Sequence, residues 1–284
     1  MNDRSGPRIR LFTAQDVPYA VRQATEFGWT TAPHWFTVLV EHDPRGCFLA
    51  EIDGQPVGMV TTARYGSSAW LGYLMVSPQR GALGLGTILL EYGLGYLDAS
   101  GVETVLLDAD PPGVRIYARH GFAKRFPSRR FRLLGSARRP ATAAVCLTPD
   151  DVPAMTRLDL ESFGDDRACL LALMYPTAEA AYCVRRHGRL VGYALLIASG
   201  AGVQLGPWIA EDRSAAEELL AAAVRQRADR EMTVGVPGTN DAAIALLEEC
   251  GFQEKPASMR MTRGQATNVC VGPQVYGLGN GAIG

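Results

Sequence analysis

The chain has 284 residues, which is enough for two domains or for one large domain with a sizeable core. Its 28 Lys and Arg residues nearly balance 29 Asp and Glu residues, and the net charge of -1 lacks the basic excess typical of nucleic-acid-binding proteins. The six cysteines show no C-x-x-C spacing and the four histidines are scattered, so we expect neither a metal site nor a disulfide framework.

The sequence also shows no pattern typical of export or membrane insertion. The first residues lack the apolar segment of a signal peptide. No window approaches the roughly eighteen consecutive apolar residues that a spanning helix needs. We therefore expect a cytoplasmic protein whose partners include neither nucleic acid nor a membrane.

Short apolar strands and amphipathic helices follow one another along the first half of the chain. Apolar runs and the hairpin signal Asp53-Gly54 predict strands at 9–12, 47–52, 56–62, 70–76, 102–108 and 131–134. Helical spacing predicts helices at 17–27, at 35–40, from Thr87 to about Ser100, and after Pro111-Pro112. Thr13 and Asp16 predict a cap at the start of the first helix.

A glycine-rich stretch joins the strand at 70–76 to the helix that follows it. Gly81, Gly84 and Gly86 punctuate this turn, and a strand, a glycine turn and a helix N-terminus are typical of an anion-binding site. A dinucleotide-binding fingerprint would need glycine at Leu89, and no Gly-Lys pair followed by Ser or Thr, as in a P-loop, follows Gly86.

The same stretch resembles the pyrophosphate-binding motif of the GNAT acyltransferases, Gcn5-related N-acetyltransferases that use acetyl-CoA. Their motif is Val-x-Pro, then Gln or Arg, two residues, and Gly-x-Gly. The matching residues here are Val76, Pro78, Gly84 and Gly86. Gly81 stands where Gln or Arg is expected, and Arg80 comes one place early, so the backbone cradle is kept while one side-chain contact to phosphate differs.

A second landmark of the family lies about thirty residues downstream. Tyr117 is followed four residues later by Gly121 and Phe122, where a helix ends at a glycine and a strand begins. Two landmarks in this order identify the chain as similar to the GNAT family. The resemblance implies an α+β fold, with a mixed, mostly antiparallel sheet flanked by helices, and acetyl-CoA as cosubstrate with no metal.

The resemblance also implies site residues. In the family the strand before the glycine loop splays from its neighbour, and its N–H groups bind the pantetheine and polarise the acetyl carbonyl. The implied cofactor-binding residues are Leu74, Met75, Val76, Arg80, Gly81, Ala82, Leu83, Gly84, Leu85, Gly86, Thr87 and Tyr117. Tyr117 is also the candidate general acid, because a phenol can protonate the departing thiolate.

The general base and the acceptor residues are less defined. Asp108 is a candidate base at the end of the strand at 102–108, while Asp110, Tyr73 and a water chain stay open as alternatives. Asp110 can instead cap the helix that carries Tyr117. Trp29 lies in the region that covers the acceptor in related enzymes, and Asp166 has the charge to bind a cationic amine.

The second half of the chain repeats the first. Paired segments recur at offsets between 130 and 134, as in Asp110 to Phe122 and its echo Asn240 to Phe252. The copy has E-D-R-S-A-A-E-E-L in place of the glycine loop and Leu247 in place of the tyrosine. With 135–144 as a linker, we predict a catalytic domain at 1–138 and a degenerate GNAT-like copy at 139–284 that supports the first domain or walls its substrate pocket.

These patterns lead to one functional prediction and one alternative. We expect an N-acetyltransferase that transfers acetyl to a primary amine of a small molecule by direct attack in a ternary complex. The alternative is a non-catalytic acyl-CoA-binding or interaction module on the same scaffold, which the substitution at Gly81 favours. Because a tandem copy can replace the partner that single-domain relatives obtain by dimerising, we favour a monomer over a homodimer.

Overall fold

The computed structural model describes residues 6–78, 84–135, 141–265 and 268–284. Its strands are β1 (Arg8–Leu11), β2 (Phe48–Ile52), β3 (Gln55–Arg64), β4 (Ser68–Val76), β5 (Thr104–Ala109), β6 (Ala123–Leu133), β7 (Val145–Cys146), β8 (Ala180–Arg186), β9 (Arg189–Ser199), β10 (Gly202–Ala210), β11 (Met232–Pro237), β12 (Gln253–Gly264) and β13 (Val275–Gly277). Its α-helices are α1 (Val17–Glu26), α2 (Pro33–His42), α3 (Leu85–Ala99), α4 (Val114–Arg119), α5 (Val152–Phe163), α6 (Ala168–Met174), α7 (Arg213–Gln226) and α8 (Asp241–Glu249).

The described strands form one largely antiparallel sheet with helices on both faces, so the predicted fold class is confirmed. Twelve strands follow the order β1-β2-β3-β4-β5-β12-β6-β11-β10-β9-β8-β7, and β13 pairs with β10. One face packs against α1, α2, α5 and α6 in a single apolar core that includes Trp35 and Phe163. On the other face, α3 and α4 cover strands of the first half and α7 and α8 cover strands of the second.

The same capping signal precedes the first α-helix of each half. Thr13 donates its N–H to the Asp16 carboxylate at 2.8 Å and completes the predicted capping box before α1. Thr148 and Asp151 repeat this box before α5, where the Thr148 N–H donates to Asp151 at 2.9 Å. The shared box shows that the repeat extends to the first turn of each half.

The sheet passes from one half to the other through exchanged strands. β12, from the second half, lies between β5 and β6 of the first half, and β6 in turn pairs with β11 of the second half. The division at residue 138 stays a prediction about the sequence. The strand order shows that 1–138 alone would lack the strand that joins β5 to β6.

The largest differences from the predicted bounds are in β6 and at the start of α4. β6 spans Ala123–Leu133 and not only 131–134, because it pairs with β11 and with β12 within the sheet although its first residues form no apolar run. α4 begins at Val114, after a turn that contains Pro111 and Pro112. Within the described ranges, no helix is long and apolar enough to cross a membrane.

Candidate active site

The first half has a gap in its sheet where β4 leaves β5. The two strands pair in parallel only at Ser68–Trp70, opposite Thr104–Leu106. From Leu71 onward, β4 pairs with β3 alone in the part of the chain that the structure describes. The backbone of the second half of β4 is therefore open on its β5 side, as the resemblance to the GNAT family implied.

A bulge in β4 produces this divergence. The register with β3 shifts between Met59 and Thr61, and Tyr73 takes a positive φ of 42°. After the bulge, Met75 is buried in the core shared with α1 and α2, while Leu74 and Val76 stay half-buried near the gap. The backbone of these three residues therefore borders the gap.

The glycine turn leads from β4 into α3. The predicted contacts at Arg80, Gly81, Ala82 and Leu83 lie outside the described residues. Gly84 precedes α3 with a left-handed φ of 69°, and no atom lies within 4 Å of the position that a β-carbon would occupy there. A glycine in this conformation leaves the entrance to Leu85, Gly86 and Thr87 sterically open.

Tyr117 lies on α4, with its ring 5.8 Å from that of Phe122 in an edge-on contact. Within the described chain its hydroxyl makes no hydrogen bond. Burial raises the pKa of Tyr117 above its usual value, and the negative charge of Asp110 raises it further. The phenol is therefore protonated at neutral pH, which is the state that a general acid requires.

Asp110 directly follows β5 and contacts Trp29, the predicted acceptor residue. Its carboxylate accepts a hydrogen bond from Trp29 Nε1 at 3.1 Å and another from Arg130 Nη2 at 3.0 Å. The Asp110 side chain is 35% exposed, so it borders solvent. The structure thus brings the predicted acceptor residue Trp29 to a carboxylate that the sequence offered only as an alternative base or a helix cap.

The prediction of Asp108 as the base is corrected by its surroundings. Arg260 of β12 donates to Asp108 at 2.6 Å, Ser128 donates its hydroxyl at 2.9 Å, and both members of the ion pair are only 1% exposed. The Arg260 guanidinium also lies over the Trp70 ring at 4.3 Å. A carboxylate that is buried and paired in this way joins β5 to β12 and has no access to a substrate.

Tyr73, the other alternative base, is also unsuited to that role. Its hydroxyl forms a hydrogen bond with Thr31 at 3.1 Å. Burial raises the pKa of Tyr73 to about 12, although the hydrogen bond with Thr31 acts in the opposite direction. Tyr73 is therefore neutral near pH 7 and serves as part of the wall beside Trp29, whose ring centre lies 6.3 Å away.

The prediction that Asp166 binds the amine is likewise corrected. Asp166 is exposed and accepts a hydrogen bond from Ala168 N, whereas its neighbour Asp165 is buried and accepts hydrogen bonds from the N–H and hydroxyl of Ser68 at 2.7 and 2.6 Å. Ser68 begins β4, and the bulge at Tyr73 lies five residues farther on, roughly 17 Å along an extended strand. The acidic pair therefore attaches the second half to the start of β4, whereas the gap lies at the other end of this strand.

The corresponding gap of the second half is filled by the chain itself. β10 and β11 pair only at Val203–Gln204, and beyond that point β13 hydrogen-bonds to β10. Leu278 N then donates to the Gly235 carbonyl of β11 at 2.8 Å. Asn240, which occupies the place of Asp110, donates from Nδ2 to the carbonyls of Pro273 and Val275, both at 2.9 Å.

The segment after β13 continues to the first half. A β-carbon at Gly72 would come within 2.4 Å of the Ala282 β-carbon, and Trp70 Nε1 donates to the Gly281 carbonyl at 3.0 Å. Tyr65 donates its hydroxyl to the Ile283 carbonyl at 2.5 Å. This segment thus packs against β4 and the preceding Tyr65, which sequence reasoning did not anticipate.

Family models match both halves of the chain. The model for the acetyltransferase (GNAT) family matches residues 11–122, and a model for an acetyltransferase (GNAT) domain matches residues 155–277. Together with the splayed sheet, these matches define a GNAT acetyltransferase with two domains in tandem. The chain belongs to this family, as its two sequence landmarks predicted.

Two acetyltransferases that are similar in sequence match different shares of this chain. An uncharacterized N-acetyltransferase of Bacillus subtilis, YitH, is 23% identical over 82% of this chain and 83% of its own length. The mycothiol acetyltransferase of Acidimicrobium ferrooxidans is 40% identical, but over only 28% of each chain. This chain therefore spans little of that relative, and substrates do not follow from the match.

Solved structures agree with the tandem arrangement. A protein from Pyrococcus horikoshii assigned as an acetyltransferase superposes with a TM-score of 0.85 and 26% identity, over 99% of this chain and 96% of the other. A tandem GNAT protein from the clavulanic acid biosynthesis pathway gives a TM-score of 0.64 over 91% and 98% of the two chains. At 13% identity, that second likeness shows the fold alone.

Proposed function

We propose that this protein transfers an acetyl group from acetyl-CoA directly to a primary amine of a small molecule, and that the first half carries out the chemistry. One observation carries the proposal. The first half combines an open strand edge after the β4 bulge with a protonated tyrosine, Tyr117, on the helix that follows β5, whereas the second half has β13 in its gap and Leu247 in place of the tyrosine.

The residues around the gap suit acetyl-CoA. The open edge of β4 between Leu74 and Val76 offers backbone N–H groups to the amide-rich pantetheine and to the acetyl carbonyl. The turn that ends at Gly84, together with the start of α3, suits the pyrophosphate, because backbone N–H groups and the positive helix end favour an anion. Acetyl-CoA supplies the activated acyl group, and the protein supplies position and proton transfer.

Tyr117 and Asp110 divide the proton transfers between them. Asp110 holds the incoming ammonium at the mouth of the gap and accepts its proton, with Trp29 and Arg130 fixing the carboxylate. Tyr117 donates its proton to the departing sulfur, which gives the thiol CoA. A carboxylate base and a phenol acid at one gap allow the amine to attack while the thiolate is neutralised.

Release of the thiol tests this function. The purified protein is mixed with acetyl-CoA and a panel of primary amines, and both free thiol and acetylated amine are measured. Tyr117→Phe keeps the ring and removes the proton, so we expect kcat to fall about 100-fold while acetyl-CoA still binds. Tyr182→Phe in β8 of the second half is the matched control and should keep full activity.

The outcome separates an enzyme from a binding module. Amine-independent acetyl-CoA binding with no acetylated product would favour the non-catalytic module. Equal kcat in Tyr117→Phe and the unchanged protein would remove the general acid from the mechanism.

A further inference from the structure

A strip of polar side chains lies on the sheet beside Asp110, on the face that carries α1, α2, α5 and α6. Side chains alternate along β6, and Phe131 and Leu133 are buried on the opposite face in the core under α7 and α8. Arg130 and Arg132 therefore share the face of Asp110, which Arg130 contacts.

Arg132 is the arginine of this strip that lacks a carboxylate. The residues in register with it are Thr233 on β11 and Gln253 on β12, and neither is acidic. Its Nε atom is shielded from solvent and has no hydrogen-bond partner within the described chain. By contrast, its neighbours on β6 are paired, Arg129 with Glu254 and Arg130 with Asp110.

A second cation reinforces this positive charge. Lys255 of β12 stands in register with Arg130, one strand away from it and on the same face, and is half-buried. No hydrogen bond or ion pair involves Lys255 within the described residues. Shielding one N–H of a guanidinium that has no acceptor is costly, whereas an arginine that receives a carboxylate or phosphate forms strong, paired hydrogen bonds.

The positions of these groups relative to Asp110 define a shape for the ligand. Arg132 lies two residues farther along β6 than Arg130, which is roughly 7 Å. A molecule with its ammonium at Asp110 and an anion at Arg132 must therefore separate the two charges by several bonds. An α-amino acid, whose charges are adjacent, is too short.

We propose that the acetyl acceptor carries an anionic group, a carboxylate or a phosphate, several bonds away from its amine, and that Arg132 with Lys255 binds this group. The inference rests on the proposed N-acetyltransferase function and adds the class of acceptor. It makes Arg132 a specificity-determining residue that acts on substrate binding and not on proton transfer.

The test compares amines of similar length that differ at the far end. Thiol release from acetyl-CoA is measured with 5-aminopentanoic acid, with an aminobutyl phosphate and with pentylamine. We expect kcat/KM to be at least about tenfold higher for the anionic amines, mainly through KM, because a charge-assisted contact is lost in the neutral one. Comparing kcat/KM for the carboxylate and for the phosphate amine shows which anion the strip prefers.

Variants of one residue then locate the effect. Arg132→Gln should lower the preference for the anionic amine about tenfold, and Arg132→Lys should retain part of it because the charge remains. Arg157→Gln, the same change at an exposed site on α5, is the control and should leave the preference intact. Thermal unfolding of each variant checks that the fold is kept.

The possible results are distinct. Equal kcat/KM for neutral and anionic amines, or an unchanged preference in folded Arg132→Gln, would overturn the anion site and leave the N-acetyltransferase function standing. Absence of thiol release with every amine would overturn the proposed function and this inference with it.

Discussion

The two halves share one scaffold and differ in what occupies the gap after the parallel strand pair. In the first half, the gap between β4 and β5 is open, and Tyr117 lies on α4, the helix that follows β5. In the second half, β13 enters the equivalent gap and pairs with β10, and Leu278, directly after it, donates to Gly235 of β11. The second copy has therefore lost more than its glycine loop, because its own chain occupies the space that a pantetheine arm would need.

Asp110, before the turn that leads into α4, and its counterpart Asn240, before α8, show the same contrast. Asp110 leaves its carboxylate at the border of solvent, next to Trp29 and Arg130. Asn240 is 2% exposed, caps α8 through Ala243 N and holds the segment before and within β13. One position thus serves a proposed chemical role in one half and a structural role in the other.

The largest expected effect concerns cofactor binding. Gly84→Glu adds a negative side chain at a left-handed position beside the predicted pyrophosphate site, so affinity for acetyl-CoA should fall more than about 100-fold. Glu217→Gln, at the place of Gly84 in the second copy, should leave a single site of normal affinity. Calorimetry measures both, and two sites per chain would contradict the assignment of binding to the first half.

A smaller effect, on stability and activity, is expected when Asn240 or Asp110 is replaced by alanine. Asn240→Ala removes a cap and leaves two carbonyls, one of them buried, without their donor, so the free energy of unfolding should fall by about 2–3 kcal/mol. Asp110→Ala should lower activity and change stability by less than about 1 kcal/mol, because its ion pair is partly exposed. Denaturant titration and thiol release together test the contrast, and equal stability losses would refute it.

The smallest effect concerns the acidic pair at the start of α6. Burial raises the pKa of Asp165, but the hydrogen bonds from Ser68, Ser67 and Asp166 N outweigh it, so the pKa lies below its usual value. A carboxyl whose pKa is depressed by folding stabilises the protein above its unfolded-state pKa, about 3.9, and this contribution is lost as pH falls through the folded-state pKa.

The stability of Asp165→Asn should therefore be lower than that of the unchanged protein at pH 7, and the difference should shrink below about pH 4. Asp166→Ala is the control, and its stability and its KM values for both substrates should change little, since Asp166 is exposed and distant from the gap. A raised KM for the amine in Asp166→Ala would restore the residue to the acceptor site.

Much of this architecture could be predicted from short-range sequence signals. The Thr13 box, the Asp53-Gly54 hairpin and the spacing of Tyr117 from Gly121 are local patterns, and the structure or the family matches confirm them. The repeat revealed the tandem arrangement because both copies kept their strand and helix cues.

The errors arose where long-range pairing decides a residue's role. Asp108 has the residue type and position of a base, but its partner Arg260 is far away in sequence and arrives only through the exchanged strand β12. Asp165 and Asp166 are adjacent and alike, and which one faces Ser68 depends on how α5 ends. Hydrophobic periodicity predicts which segments are strands, but it does not specify the order of the strands in the sheet.

The exchanged strands also bear on how the protein is made. During synthesis β5 and β6 emerge well before β12, which follows more than a hundred residues later. Until then, their facing backbone edges lack the strand that pairs with both, and such edges invite association between nascent chains. Because these contacts join distant parts of the chain, we expect slow folding. Neither half can complete its part of the sheet before the ribosome has released the second half of the chain.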